Sequence, residues 1–362
     1  MKEMNFYFDA RWTRTDYHDG ISRYTSGLLE GFLALDLPVV ALICDERQLT
    51  LLPKGIRYKK INRPVSFSEL FVAKKLNALG ADVVFSPLQV MGFWGRRYRL
   101  ILTLQDVIYY RHPKPPTNLP WYIRTVWRLF HMARWPQRLL LDRADHVATV
   151  SHTSRRFIEE MSLTKRPIDV IYNATSTAIT TENRAIQVTK NIIYMGSFMP
   201  YKNVETLIRM MKLLPNEYTL LLLSKVHPER QAELERLVPD NASVVFKNGV
   251  TEDEYATLLR GAHCLATASK EEGFGLPVVE AQTYGTPVVC TDMDIFHEVA
   301  GEGALFCDPD QPEAFAEAIR SLEHPAIRAE CIKKGHQQAA TFSWISSARA
   351  LYTLAESLYK RP

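Results

Sequence analysis

Residues 268–289 read ASKEEGFGLPVVEAQTYGTPVV, and the order of residue types in this stretch predicts the local fold. The apolar run at 262–269 is typical of a buried strand. A turn with a glycine on each side of Phe274 follows, Pro277 suits the first position of a helix, and Gly285 suits its end. Because another apolar run follows, the stretch predicts a strand, a turn, a helix and a second strand, as in a parallel α/β sheet.

Two glutamates flank this turn: Glu272 precedes it, and Glu280 is expected in the first turn of the helix. A turn of this kind directs backbone N–H groups and the positive end of the helix toward a bound phosphate, and Gly273 and Gly275 would allow a close approach. Glu280 could then accept hydrogen bonds from a diol such as ribose, and Glu272 could meet the group beyond the phosphates. The alternative is that both carboxylates only stabilise the helix start. Spacing alone leaves both interpretations open.

A second candidate for phosphate binding is the segment YMGSFMPYKN at 194–203. A predicted strand ends at Gly196 and a predicted helix starts near Asn203, so the ammonium of Lys202 is placed to meet a phosphate as a point charge. The alternative is an ordinary solvated lysine at a helix start.

The organisation of the chain favours two domains. A length of 362 residues is too long for one ordinary core, and apolar strand-like runs alternate with helix-like segments in both halves. We expect two Rossmann-like parallel-sheet domains facing a central cleft. The predicted boundaries are 1–172 for an N-terminal acceptor domain, 173–190 for a linker, 191–342 for a C-terminal donor domain, and 343–362 for a C-terminal helix that returns toward the first domain.

Composition and charge narrow the class of protein. A hydrophobic content of 46% with 23% charged residues indicates a folded chain. The start of the sequence predicts no signal peptide, and no segment has the run of roughly 18 apolar residues that a membrane-spanning helix needs, so we expect a cytoplasmic protein. Five scattered cysteines without a Cys-x-x-Cys pair predict neither disulfides nor zinc. Residues 1–172 hold 26 Lys and Arg against 16 Asp and Glu, an excess that favours an anionic partner such as acidic lipid, a phosphorylated acceptor or nucleic acid. The alternative is a chance asymmetry on a solvated face.

Four segments together resemble a known family: EEGFGLPVVEA at 271–281, YMGSFMPYKN at 194–203, DGISRY at 19–24 and TVSHTSRRFI at 149–158. Their order and spacing are similar to those of the family 4 retaining glycosyltransferases of GT-B fold. The resemblance implies transfer of a hexosyl group, with mannosyl as one candidate, from a GDP- or UDP-linked sugar to a hydroxyl of a glycan or lipid-linked acceptor. It implies cell-envelope polysaccharide or glycolipid synthesis, with no cofactor, metal or nucleic acid.

The resemblance also assigns roles in the donor domain. Glu280 would hold the ribose, Glu272 would contact the donor sugar, and Lys202 would neutralise charge on the departing diphosphate. The remaining predicted donor contacts are Gly196, Ser197, Gly249, Val250, Gly273, Phe274, Gly275 and Leu276. Positions 197 and 201 are often arginine in relatives, so Ser197 and Tyr201 predict a site with one cation fewer.

In the N-terminal half, the resemblance places Gly20, Ile21 and Arg23 in a loop near the diphosphate and the acceptor. This chain has Asp19 where the family usually has a first glycine. The family commonly has a His-Asp pair where this chain has Gln105 and Asp106. Glutamine hydrogen-bonds sugar hydroxyls but takes no proton, whereas a front-face displacement assisted by the leaving phosphate needs no such residue. Gln105 and Asp106 are both catalytic candidates. Asp106 is also expected to cap the next turn and so to hold the surroundings of Gln105.

A basic aromatic segment at 121–143 is typical of a membrane-surface element, and its candidate residues are Arg124, Trp127, Arg128, Arg134 and Arg138. On one helical wheel the arginines cluster, which predicts peripheral contact with an anionic membrane at the inner face. The alternative is a helix pair, broken at Pro136, with a solvated basic face. For the whole chain, the alternative function is a weak or inactive GT-B protein that acts as a binding or scaffold partner.

Overall fold

The computed structural model describes residues 3–113, 120–175 and 188–361. The chain forms two compact units. The first unit contains Met1–Ser176 together with Phe342–Pro362, and the second contains Thr177–Thr341. Most of the predicted linker at 173–190 lies outside the described residues.

The first unit is built on a parallel sheet whose central strands are buried, as in α/β proteins, whereas the edge strand at Tyr58–Lys60 is exposed. Within the described ranges the strands are β1 (Phe6–Asp9), β2 (Val40–Ile43), β3 (Tyr58–Lys60), β4 (Val83–Ser86), β5 (Arg99–Thr103), β6 (His146–Thr149) and β7 (Ile168–Val170). Their order is β3-β2-β1-β4-β5-β6-β7, and Phe8 of β1 pairs with Ala41 on one side and Phe85 on the other. The strand order reverses at β1, which is the usual ligand position in such sheets.

Helices cover this sheet on both faces. They are α1 (Gly20–Ala34), α2 (Val72–Ala78), α3 (Ile108–Arg111), α4 (Trp121–Met132), α5 (Trp135–Leu141) and α6 (His152–Glu160), with short 3-10 helices at Glu46–Thr50 and Phe67–Phe71. The helix α1 begins after Asp19, whose side chain accepts a hydrogen bond from the Ser22 amide, and α6 begins after Ser151 in the same way.

The C-terminal helix, Trp344–Tyr359, belongs to the first unit and packs against α1. Two glycines of α1 make this close packing possible. A Cβ atom at Gly27 would lie 2.0 Å from Cε2 of Trp344, and one at Gly31 would lie 2.3 Å from the Trp344 carbonyl oxygen. The Ser347 hydroxyl also donates to the carbonyl of Tyr172 at 2.8 Å. The end of the chain is therefore part of the core of the first unit.

The second unit repeats this architecture with strand order β10-β9-β8-β11-β12-β13. Its described strands are β8 (Asn191–Tyr194), β9 (Thr219–Leu222), β10 (Ser243–Phe246), β11 (Cys264–Thr267), β12 (Val288–Thr291) and β13 (Ala304–Cys307). Its helices are α7 (Val204–Met210), α8 (Pro228–Glu235), α9 (Glu252–Gly261), α10 (Leu276–Thr283), α11 (Asp294–Ala300), α12 (Pro312–Ser321) and α13 (Pro325–Ala339), with 3-10 helices at Pro200–Lys202, Met211–Leu213 and Gly301–Gly303. The prediction of two Rossmann-like parallel-sheet domains is confirmed.

Along the described parts of the chain, none of the helices has the length and apolar character needed to cross a membrane.

Candidate active site

The Gly-Phe-Gly turn connects β11 to α10, as the sequence predicts. Gly275 caps α10 with a φ of +94°, a conformation that glycine adopts without strain. A Cβ atom there would also lie 3.0 Å from Cε1 of Phe296. The helix begins at Leu276, so Pro277 is its second residue rather than the predicted first. The amino end of α10 therefore lies at the carboxyl end of β11, where open α/β sheets bind ligands.

Lys202 and Glu272 form an ion pair beside this turn. The Lys202 Nζ lies 2.5 Å from Glu272 Oε1, and the two side chains are only 13% and 15% exposed. Ser269 donates its hydroxyl to the same carboxylate oxygen at 3.1 Å. The backbone amide of Lys270 donates to the carbonyl of Tyr201, which joins the two loops that carry the pair. Lys202 is thus a largely buried partner of Glu272, and the solvated-lysine alternative does not describe it.

Glu280 is the fifth residue of α10, so it lies in the second turn and not in the first as predicted. The error follows from the helix starting at Leu276, because Glu280 is then too far along to stabilise the positive end of the helix. Its carboxylate is 8% exposed, and the hydroxyl of Tyr255 donates to Oε2 at 3.0 Å. Tyr255 lies in α9, and no sequence pattern predicted its contact with Glu280.

Loops from neighbouring strands meet at the same edge of this sheet. Because the strand order is β10-β9-β8-β11, the segments that follow these strands lie side by side. In the same order, these segments contain Gly249, Ser224, Gly196 and Glu272. The Gly196 amide donates to the Ser224 hydroxyl at 3.1 Å. Gly249 has a φ of +108°, and its amide donates to the carbonyl of Leu223 at 2.8 Å. The predicted donor contacts of the second unit therefore share one sheet edge.

The two positions that differ from the family pattern in this region hold no cation. The carbonyl of Ser197 accepts a hydrogen bond from the hydroxyl of Tyr194 at 2.6 Å. The ring of Tyr201 lies beneath Lys202, with 5.4 Å between the ring centroid and Nζ. At this turn Lys202 is the cation that pairs with Glu272.

In the first unit, Asp19 has two structural partners. Its carboxylate accepts from the amide and the hydroxyl of Ser22 at 2.9 and 2.8 Å, and it pairs with Arg14 at 2.8 Å. Gly20 is the first residue of α1, and no atom lies within 4 Å of a Cβ built there. The backbone amide of Arg23 donates to the carbonyl of Asp19, as expected in the first turn of a helix.

Gln105 and Asp106 follow β5 at the carboxyl edge of the first sheet. The side-chain amide of Gln105 donates to the carbonyl of Pro87 at 3.1 Å. Asp106 accepts from the backbone amide of Ile108 at 3.0 Å, although the N-cap residue of α3 is Val107. The hydrogen bond to the Pro87 carbonyl holds the Gln105 side chain in a defined position.

A cavity of about 530 Å³ lies in the first unit at the carboxyl ends of β1 and β2, and the sequence did not reveal it. Ile21 lines it, together with positive and negative side chains from distant parts of the chain, including Arg14, Arg47, Arg63, Asp16, Asp19 and Asp45. Two further lining residues, Trp12 and Thr13, have a buried Nε1 and Oγ1 without a hydrogen-bond partner in the described part of the chain. Its chemistry suits a ligand that both donates and accepts hydrogen bonds.

The basic segment at 121–143 forms two helices, whereas a single helical wheel assumes one continuous helix. The helix is interrupted at Ala133 and Arg134, and Pro136 is the second residue of α5 rather than the break itself. Trp127 packs edge-on against Tyr109 with 4.8 Å between ring centroids. The guanidinium of Arg138 donates to the carbonyl of Ser162, with Nε at 2.7 Å. The predicted arginine cluster is therefore divided between two helices.

Possible metal ligands do not gather anywhere in the described ranges, where no group of three or more His, Cys, Asp or Glu side chains could hold an ion. Asp292 instead pairs with His297 at 2.6 Å.

Two family models match the chain. The model described as Glycosyltransferase Family 4 matches residues 18–178, and the model described as Glycosyl transferases group 1 matches residues 178–338. The chain is 29% identical over 194 residues to the O-antigen chain mannosyltransferase RfbU of Salmonella typhimurium, covering 52% of this chain and 54% of that protein. It is 31% identical over 159 residues to the O-antigen chain mannosyltransferase B of Escherichia coli, covering 42% of each. The chain thus spans about half the length of these curated relatives.

Solved structures share the fold over nearly the whole chain. Sucrose-phosphate synthase from Thermosynechococcus elongatus has a TM-score of 0.75 at 19% identity and covers 99% of both chains. Anabaena Alr3699/HepE, solved with UDP and glucose, has a TM-score of 0.73 at 17% identity and covers 98% of this chain and 100% of its own. The protein therefore has the GT-B fold. With the two family models matched end to end, it belongs to the family 4-type glycosyltransferases.

Proposed function

We propose that this protein is a retaining hexosyltransferase that moves a hexosyl group from a nucleotide sugar to a hydroxyl of a glycan or lipid-linked acceptor. The observation that carries the proposal is the Lys202–Glu272 pair beside the amino end of α10, with the buried carboxylate of Glu280 further along the same helix. This arrangement supplies a cation and helix N–H groups for a diphosphate and carboxylates for hydroxyl groups. Family membership supports the same reaction class.

In the proposed reaction, the bond between the sugar and the diphosphate breaks while the acceptor oxygen bonds to the same face of the sugar. Lys202 and the amino end of α10 stabilise the negative charge that develops on the leaving diphosphate. That diphosphate accepts the acceptor proton, so no protein nucleophile is required. Glu272 orients the sugar hydroxyls and Glu280 binds the ribose. Each charge-assisted contact contributes about 1.5–3 kcal/mol.

In this proposal Gln105 and Asp106 act by positioning other groups and not by transferring a proton. Gln105 cannot take a proton, and its amide already donates to the carbonyl of Pro87. We propose that the side-chain carbonyl oxygen of Gln105 positions a sugar hydroxyl. Asp106 would fix the turn that carries Gln105 through its hydrogen bond to the Ile108 amide. Gly20, Ile21 and Arg23 lie in the first turn of α1 and not in a loop as predicted, because Asp19 caps the helix directly before them. We propose that this turn faces the acceptor, because Ile21 lines the cavity of the first unit.

We propose GDP-mannose as the donor, on the strength of the two O-antigen mannosyltransferase relatives. A UDP-sugar is the second candidate, because the structural neighbour from Anabaena was solved with UDP and glucose. The acceptor is proposed as an envelope glycan or glycolipid, which would place the enzyme at the inner face of the cell membrane. A scaffold without catalysis is the less favoured alternative, since the ion pair and Glu280 of the donor site are all in place.

Calorimetric titration without metal tests the proposal, with UDP, GDP and their glucose and mannose conjugates as ligands. Glu280→Ala and Lys202→Ala should each weaken the preferred nucleotide roughly tenfold or more. Lys270→Ala is the matched control, because Lys270 is a paired lysine of the same unit that bonds to the exposed Asp310. Unchanged dissociation constants in both site variants would refute the assignment of the donor site. Sugar transfer to any hydroxyl acceptor would exclude the scaffold alternative.

A further inference from the structure

Arg11 is a buried cation that follows the central strand β1. Its side chain and that of Asp9 are fully buried, and that of Glu69 is 13% exposed. The guanidinium donates to both carboxylate oxygens of Asp9, to both of Glu69 and to the carbonyl of Asn62 at 2.6–3.2 Å, so all of its N–H groups have an acceptor. Burial alone would lower the pKa of Arg11, but the charges of Asp9 and Glu69 raise it, so the guanidinium stays charged.

Glu69 joins segments that follow three different strands. Besides Arg11, its Oε1 accepts from the amide of Gly92 at 3.0 Å, and its Oε2 accepts from the side-chain amide of Asn62 at 2.7 Å. Arg11 follows β1, Asn62 and Glu69 follow β3, and Gly92 follows β4. A Cβ atom at Gly92 would lie 2.0 Å from the Glu69 carbonyl oxygen, so two of these segments meet at close range. The network therefore joins them at the sheet edge where α/β proteins bind ligands.

The segment from residue 62 to residue 71 has little apolar packing to hold it. The 3-10 helix at Phe67–Phe71 contains no buried residue, and Val65 and Phe67 are 85% and 82% exposed. A surface segment is normally held by apolar side chains that it turns toward the core. Here the largely buried side chain that the segment turns inward is the carboxylate of Glu69. The ion pair with Arg11 is therefore what fixes this segment on the sheet.

The same segment forms part of the cavity of the first unit. Arg11 lines the cavity, and so do Arg63, Pro64 and Val65. The carbonyl of Arg63 accepts from the amide and the hydroxyl of Ser66 at 3.2 and 2.6 Å, which fixes the backbone between Asn62 and the 3-10 helix. The position of these cavity residues thus depends on the attachment of Glu69.

Gln48 attaches the segment that follows β2 in a similar way. Its buried side-chain amide donates to the carbonyls of Arg11 and Thr13 at 2.9 and 2.7 Å, and its Oε1 accepts from the amide of Asp45 at 3.1 Å. Gln48 and Asp45 also line the cavity. Segments that follow β1, β2 and β3 are therefore joined around the cavity by buried polar side chains, and a network whose members are all hydrogen-bonded makes such an arrangement rigid.

We propose that Glu69, acting through Arg11, is a positioning residue that keeps the cavity of the first unit preformed for a saccharide acceptor. The inference rests on the proposed function for the identity of the acceptor. A preformed site avoids the entropy cost of ordering its loops when the ligand binds, so loosening the segment should weaken acceptor binding. Nucleotide binding by the second unit is measured separately, so failure of this inference and failure of the donor-site proposal are distinguishable.

Glu69→Gln is the decisive variant. Glutamine has the size of glutamate, and Asp9 and Arg11 still neutralise each other, so the fold should survive. Whichever way the new amide turns, its NH₂ group faces N–H donors of Arg11 and of Gly92 or Asn62. The KM for a saccharide acceptor should rise roughly tenfold, whereas kcat and the Kd for the free nucleotide should be unchanged. Amides of residues 62–71 should also exchange hydrogen faster than in the wild type.

The assay measures binding of the methyl glycosides of mannose, glucose and galactose, and sugar transfer to them from GDP-mannose and UDP-glucose. Asn62→Ala keeps all three charges of the network and should raise the acceptor KM by a smaller factor. Asp145→Asn is the matched control, because Asp145 is 21% exposed and accepts from Arg96 at 2.6 Å, but directly precedes β6 at the amino edge of the same sheet. Its acceptor KM should equal that of the wild type.

Three results would overturn the proposal. The first is an unchanged acceptor KM in both Glu69→Gln and Asn62→Ala. The second is an equal rise in Asp145→Asn, or an equal loss of nucleotide affinity in Glu69→Gln, because the network would then support only the fold as a whole. The third is a wild-type protein that neither binds nor uses any of the three glycosides, because a preformed saccharide cavity should accept one of them.

Discussion

Replacing Glu272 with glutamine should tighten the binding of a free nucleoside diphosphate, whereas replacing Lys202 with methionine should weaken it. The two side chains are paired at 2.5 Å and largely withdrawn from solvent. An incoming diphosphate must therefore compete with the glutamate for the ammonium. Removal of the competing charge should tighten GDP or UDP roughly tenfold, or about 1.4 kcal/mol. Loss of the ammonium should cost about 1.5–3 kcal/mol, the value of a charged hydrogen bond.

The assay is calorimetric titration at physiological ionic strength with the free nucleotide and with its sugar conjugate. The gain in Glu272→Gln should be smaller for the conjugate, because the variant also loses its charged contact to the sugar, and its transfer rate should fall. Lys270→Met is the control and should bind like the wild type. If Glu272→Gln weakened the free nucleotide as much as Lys202→Met, competition between carboxylate and diphosphate would be refuted, and the pair would instead be needed to assemble the site.

Three further predictions concern other parts of the structure. Tyr255→Phe removes the hydroxyl that donates to Glu280, so nucleotide affinity should fall roughly tenfold, with a smaller loss for the 2′-deoxy nucleotide in the same titration. Gly27→Ala places a Cβ 2.0 Å from the tryptophan ring of the C-terminal helix and should cost about 1–3 kcal/mol of stability in denaturant unfolding, whereas Gly20→Ala should be tolerated. Burial lowers the pKa of His263, so the unfolded chain protonates first as pH falls below about 6.5. Thermal stability should therefore decline in that window, and His263→Gln should flatten the decline.

The architecture could be predicted from the sequence because the local sequence patterns agree with the observed fold. The alternation of strands and helices predicted both parallel sheets. The turn between β11 and α10 was predictable because Gly275 has the positive φ that its position suggests. Patterns of this kind act between residues a few positions apart, so a single sequence contains them.

Features set by tertiary packing were not predictable. The break between α4 and α5 falls before Pro136, and aromatic contacts of Trp127 orient α4, so one helical wheel misplaced the arginines. Glu280 was assigned to the wrong turn because the start of α10 differs by one residue. Its partner Tyr255 lies 25 positions away in another helix. Contacts between distant elements leave no periodic signal in a single chain.

The substitution at position 19 bears on how the diphosphate is held. A carboxylate in place of a glycine would repel a neighbouring diphosphate, but Asp19 forms an ion pair with Arg14 and caps α1. Both side chains line the cavity of the first unit, where positive and negative groups are mixed, which suits the hydroxyls of a saccharide better than a second strong anion. In the proposed donor site, recognition of the diphosphate would then depend on Lys202 and the amino end of α10. Because Ser197 adds no charge there, substitution of this one lysine should affect donor binding more than in relatives with an additional arginine.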